Sequence, residues 1–190
     1  MSINQKDSWY LENREAFAAS PLNSVFPLLR SGLWHTTSPN GWRGILAEGF
    51  IRPNKGERPF SYPQSETHYA AIKGCVALFD FENARESESI SQFSNWSQFF
   101  MSSDAIRIAI QLDRNALAPK LIPYTIAKSE VGMWKAGIPY VECFYCGDIN
   151  ITNASRFLLI GPSDVFKSHF LSSVAEVETT LTNILGRSKL

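Results

Sequence analysis

Long hydrophobic runs, an excess of either charge and a cysteine framework are all missing from this chain of 190 residues. Without an apolar run long enough to cross a bilayer, no membrane-spanning helix is expected. Lys and Arg number 18 and Asp and Glu number 18, so the formal net charge is +0. A protein living mainly on nucleic-acid phosphates would carry a basic excess, and that class is disfavoured, with a local basic patch left open. Three cysteines are an odd number without a disulfide-like framework, which fits a reducing compartment. The first residues, Met1 to Asp7, hold no cationic segment followed by an apolar stretch, so no secretion signal is expected. A cytoplasmic protein is the expectation. There is no Walker loop, no G-x-G-x-x-G and no G-x-S-x-G, which removes the basis for P-loop, Rossmann and hydrolase-elbow readings.

What is present is ordinary in amount and unusual in placement. Hydrophobic residues make up 44% and charged residues 19%, enough for one α+β domain over residues 1–190 with a substantial core. Aromatics reach 13% and serve both as core filler and as stacking surface. Asp7 or Ser8 caps a helix to about Ala19, which Pro21 stops, and residues 1–30 read as a helical N-terminal extension. Leu33 to Thr37 reads as a strand. Ser38 then stands as N-cap with Pro39 at the first helical position, and Gly49 closes the helix. Phe50 starts a second strand.

Residues 53–74 are rich in proline and polar residues and read as a functional or mobile loop. Strands follow at Cys75–Phe81 and at Ile106–Leu112, where apolar and polar residues alternate. An aromatic helix carrying Trp96, Phe99 and Phe100 lies between them. Further strands are expected at residues 138–145 and 156–160, and an amphipathic helix from Ser163 to Leu185.

Two placements suggest a site. Glu142 stands in an apolar strand, and period-two alternation sets Tyr140, Glu142 and Phe144 on one face. Glutamate is depleted in strands, and a carboxylate between aromatic walls suits the stabilisation of a developing cation. An edge-strand carboxylate paired to an arginine is the structural alternative. His35 lies in a strand that leads through Thr36, Thr37 and Ser38 into a helix start, where free amides favour anionic or carbonyl groups. A hydrogen-bonded core histidine is its alternative. Arg43, Arg52, Lys55 and Arg58 cluster around that helix and the loop; most read as solvated surface, and one or two could meet a pyrophosphate. Tyr62, Tyr69, Phe79 and Phe81 offer rings, the two phenylalanines chiefly as core. Cys143 and Cys146 have a metal or redox spacing without a second pair, so no metal site is expected. His68 and His169 have no motif around them.

The segment from Leu33 to Thr37, with Trp42 to Ile51 after it, resembles the opening of the ADP-ribosyltransferase superfamily, where a strand ending in His-x-Thr precedes a short helix. It looks most like the tRNA 2′-phosphotransferase and DNA-modifying toxin branches. Val141 to Ile149 is similar to the late strand that bears that family's catalytic glutamate. The resemblance implies a split, mixed β-sheet with flanking helices that clamps NAD in a cleft. It implies that His35 binds ribose hydroxyls, that the Thr36 backbone holds the nicotinamide amide, and that Tyr69 or Phe81 stacks on nicotinamide. Thr37 and Arg52 join this cofactor-binding set. Glu142 would bind the nicotinamide-ribose 2′-hydroxyl and stabilise the oxocarbenium-like transition state. Tyr140 stands where arginine-modifying members carry an acid or glutamine, so arginine is a less expected acceptor.

The expectation is therefore an NAD-dependent ADP-ribosyltransferase acting on a macromolecular acceptor, protein or nucleic acid, with neither membrane nor metal as partner. An RNA 2′-phosphotransferase using Arg43, Arg52 and Arg58 is one alternative. A non-catalytic interaction module with an aromatic surface around Trp96, Phe99 and Phe100 is the other.

Overall fold

Segments with period-two apolar patterning build the central sheet, as their sequences imply. The structure, a computed structural model, describes residues 26–29, 32–57, 68–82, 106–131, 141–160 and 170–187. The helix expected over 7–19, Arg58, Tyr62, the aromatic helix with Trp96, Phe99 and Phe100, Tyr140 and His169 lie outside the described residues.

The described helices are α1 (Phe26–Leu29), α2 (Pro39–Glu48), α3 (Tyr69–Lys73), α4 (Arg114–Leu117), α5 (Tyr124–Val131) and α6 (Val174–Arg187). The strands are β1 (Leu33–Thr37), β2 (Phe50–Ile51), β3 (Val76–Asp80), β4 (Arg107–Leu112), β5 (Leu121–Pro123), β6 (Glu142–Tyr145), β7 (Ile149–Asn150) and β8 (Ala154–Ile160). Six strands form one sheet in the order β5-β6-β3-β1-β4-β8, and β2 pairs with β7 in a small second sheet. The α+β class stands.

Each pairing between described strands is antiparallel, which corrects the expectation of a mixed sheet. The reason is where the chain re-enters. A parallel neighbour needs a crossover that returns the chain to the end it started from. Here each strand enters beside the end its sheet neighbour left, so Thr37 at the end of β1 sits opposite Ile108 near the start of β4.

One sheet face carries Leu33, Leu78, Ile108, Ile110 and Phe157, covered by Trp42 and Ile45 of α2 and by Val177 and Leu181 of α6. The indole Nε1 of Trp42 donates to Glu178 at 2.6 Å and ties these two helices together. The other face holds Trp34, Phe79, Ala109, Leu158 and Ile160, with Leu29 and Phe81 packed beside them. A third cluster, Tyr69, Cys75, Tyr124, Ala127 and Phe144, fills the space between α3, α5 and β6.

Helix α2 forms as its sequence requires. The Ser38 hydroxyl accepts from the Gly41 amide at 3.1 Å, Pro39 opens the helix, and Gly49 ends it at φ 76°. Gly41 is needed for space, because a Cβ there would stand 2.2 Å from the Thr37 hydroxyl.

Two expectations change. Helix α6 starts at Val174 and residues 170–173 are not helical, while residues 163–169 of the expected helix lie outside the described residues. Leu171 pairs as a strand residue with Phe157, and the Ser173 hydroxyl accepts from the Glu176 amide, so the serines start the helix late. The cysteines also differ from the expected unpaired set. Cys75 and Cys146 form a disulfide across 71 residues of sequence, joining the entry of β3 to the exit of β6. Cys143 is free and buried, and burial pushes its thiol pKa up, so Cys143 and Cys146 are not a metal or redox pair.

Candidate functional site

The sheet opens between β1 and β3. These strands share two residue pairs, Leu33 with Asp80 and Trp34 with Phe79, whereas β1 and β4 share five. The Phe81 amide donates to the Gly32 carbonyl at 3.0 Å, which shows that alternate residues Gly32, Trp34 and Thr36 turn their backbone groups toward β3. Continued register would pair Thr36 with Ala77. Instead, the Ala77 carbonyl meets Nδ1 of His35 at 3.1 Å. An imidazole thus takes the place of a ladder bond, and the Thr36 backbone faces the opening.

That contact defines the chemistry of His35. A carbonyl only accepts, so Nδ1 carries the hydrogen and Nε2 is left with its lone pair. Burial lowers the pKa to about 4, against the raising effect of the Ala77 bond and with further lowering from the Arg107 charge. At neutral pH the ring is uncharged, a hydrogen-bonding group rather than an acid.

Glu142 begins β6 and pairs across the strand with Phe79, which itself pairs with Trp34. Alternation therefore sets Glu142, Phe79, Trp34 and Thr36 on one face, with the small side chain of Ala77 between Thr36 and Phe144. The carboxylate is 4% exposed. Its Oε1 accepts from Nε2 of His68 at 3.0 Å, and among the described residues Oε2 has no hydrogen-bond partner. A buried carboxylate oxygen without a donor is costly, and such atoms mark places where a ligand or ordered water completes the set.

His68 arrives from the polar loop. It is the N-cap of α3, and its Nδ1 accepts from the Ala70 amide at 3.4 Å while its ring packs on Phe144 with centroids 5.4 Å apart. An accepting Nδ1 leaves Nε2 as the protonated nitrogen, the tautomer Glu142 needs. Burial lowers the His68 pKa, but the hydrogen bond and charge of Glu142 together outweigh it and raise the value above 6.5. The sequence hid this residue because its partner is 74 positions away. A signal was there: His68 before Tyr69-Ala70-Ala71-Ile72-Lys73, with Gly74 in the left-handed conformation after it, is a capped helix turn inside the loop.

The other expected site residues divide. His35 and Glu142 point to opposite faces, because His35 alternates with Trp34, and β3 lies between their strands. Thr36 is half-buried at the opening, and Thr37 is buried against Gly41. Tyr69 and Phe81 are buried in the core: Tyr69 packs on Phe144 at 4.7 Å and donates to Glu130 at 3.0 Å. Phe81 is fully buried beside Trp34. Arg52 follows β2, held by Glu48 at 3.2 Å and Asp148 at 3.5 Å.

No protein-family model matches the chain, and no curated protein or solved structure matches it either. Its chemistry is read from its own geometry. Among the described residues no group of three or more His, Cys, Asp or Glu is placed to hold a metal, and no helix is long and apolar enough to cross a membrane.

Proposed function

We propose that the protein is an NAD-dependent ADP-ribosyltransferase with a macromolecular acceptor, and that Glu142 is its catalytic carboxylate. The observation that carries this reading is the buried Glu142 with one oxygen on His68 and the other lacking a donor among the described residues, on the sheet face beside the β1–β3 opening. NAD supplies a ribosyl–nicotinamide bond whose cleavage leaves positive charge on the ribose. A fixed carboxylate in a dry setting stabilises that charge more than it stabilises the ground state. Oε2 of Glu142 accepts a ribose hydroxyl, and the Thr36 backbone, freed from the ladder, offers an amide and a carbonyl to the carboxamide. His35, on the opposite face from Glu142, holds the lip of the opening through Ala77 as a neutral ring.

The geometry favours this over RNA 2′-phosphate transfer. Arg52 is neutralised by two carboxylates, and the Arg43 guanidinium meets Asn40 at the exposed start of α2. Among the described residues these two arginines form no phosphate cradle next to Glu142; Arg58, the third that reading uses, lies outside them. A purified wild-type protein is expected to bind NAD and release nicotinamide, while Glu142→Gln folds and does not turn over. Equal nicotinamide release by both proteins, or none by either, overturns the proposal.

A further inference from the structure

We infer that His68 is the positioning residue of Glu142: it clamps Oε1 so that Oε2 is presented to the sheet opening. The inference rests on the transferase reading for its kinetic consequence, though the clamp itself is a matter of geometry. Three observations carry it. The Nε2 to Oε1 distance is 3.0 Å at a carboxylate that is almost wholly buried. The Ala70 amide fixes the tautomer from the other side of the ring. Phe144, the next residue on the same face as Glu142, sets the ring plane.

The remaining charges near α3 are occupied elsewhere. Lys73 pairs with Glu130 at 3.1 Å, and Tyr69 donates to that same carboxylate. Glu142 is therefore the carboxylate that acts on His68 among the described residues. The disulfide strengthens the arrangement, since Cys75 follows α3 and its Gly74 cap, and Cys146 follows β6 directly. His68 and Glu142 stand at the far ends of two short elements that are covalently tied at their near ends.

The test pairs a spectroscopic arm with a kinetic one. In the first, ¹⁵N NMR follows the His68 ring in wild type and Glu142→Gln. The expected wild-type ring is the Nε2–H tautomer, titrating above 6.5, and in Glu142→Gln its titration falls because burial then acts without the carboxylate. An Nδ1–H tautomer, or the same titration in both proteins, overturns the inference. The second arm uses His68→Asn, whose side chain keeps the helix cap and is too short to reach Glu142. Nicotinamide release should fall by about 10- to 100-fold in kcat with KM for NAD nearly unchanged, and free imidazole should restore part of it. A wild-type rate in His68→Asn also overturns the inference. If the wild type releases no nicotinamide, the transferase reading fails and the NMR arm alone decides the clamp.

Discussion

Mild acid should loosen this protein through His35, and the size of the effect can be worked out. The ring is held neutral, its Nδ1–H on the Ala77 carbonyl, with burial and the Arg107 charge opposing a second proton. Its folded pKa is about 4 against an ordinary value of 6.5. A histidine depressed on folding gives stability that is complete above the unfolded pKa and is lost as pH falls through the folded one. The unfolded chain takes up the proton first, so the loss begins near 6.5 and is complete somewhat below 4. The linkage relation then gives a loss of about 2 kcal/mol by about pH 5 and about 3 kcal/mol in full. His68 works the other way, its raised value adding stability as acid protonates it in the fold. The His35 share is therefore best isolated by difference. Urea unfolding of wild type and His35→Gln at about pH 7 and about pH 5 should show the wild type losing about 2 kcal/mol more over that interval. Parallel losses in the two proteins would refute the reasoning.

Two further perturbations test the frame around the site. Reducing Cys75–Cys146 opens a loop of 71 residues, for which chain entropy gives about 4 kcal/mol, so a thiol or Cys146→Ser should lower the melting temperature clearly, and an unchanged melt would show the bridge does not constrain the chain. The two glycines of α2 should respond in opposite directions. Gly41→Ala drives a Cβ against Thr37 and should cost about 1–3 kcal/mol, whereas Gly44→Ala meets open space and should gain up to about 1 kcal/mol; equal denaturation midpoints would contradict this.

Local grammar made part of the fold legible in the sequence. Ser38-Pro39 and Gly49 bracket α2 at its true ends, because caps act through neighbouring atoms. The alternation in Ile106–Leu112 gave β4, and Cys75–Phe81 contains β3. Glu142 was visible as a carboxylate out of place, and its burial agrees. What escaped was decided at long range. The short helix at Tyr69–Lys73 was lost in a polar loop, and the run of α4, β5 and α5 is too brief for any period to show. His35 and Glu142 are the two placements that suggest a site, yet a single step of strand alternation sends them to opposite faces. The true partner, His68, is fixed by the way α3 folds back over Phe144. Cysteine counting failed for a similar reason, since Cys75 and Cys146 meet through the pairing of β3 and β6.

The weak seam between β1 and β3 also makes the sheet a mechanical joint. On one side β1, β4 and β8 are held by five and then six residue pairs; on the other, β3 and β6 are held by four. The two jaws meet along two residue pairs, the Phe81–Gly32 bond and one imidazole, the shortest pairing in the six-stranded sheet. At the open end of the joint β1 runs straight into α2, and α3 feeds straight into β3 through Cys75. Anything that wedges the jaws must therefore swing these two helices against each other, and a fluorescent pair placed on them would report arrival at the seam as a change in separation.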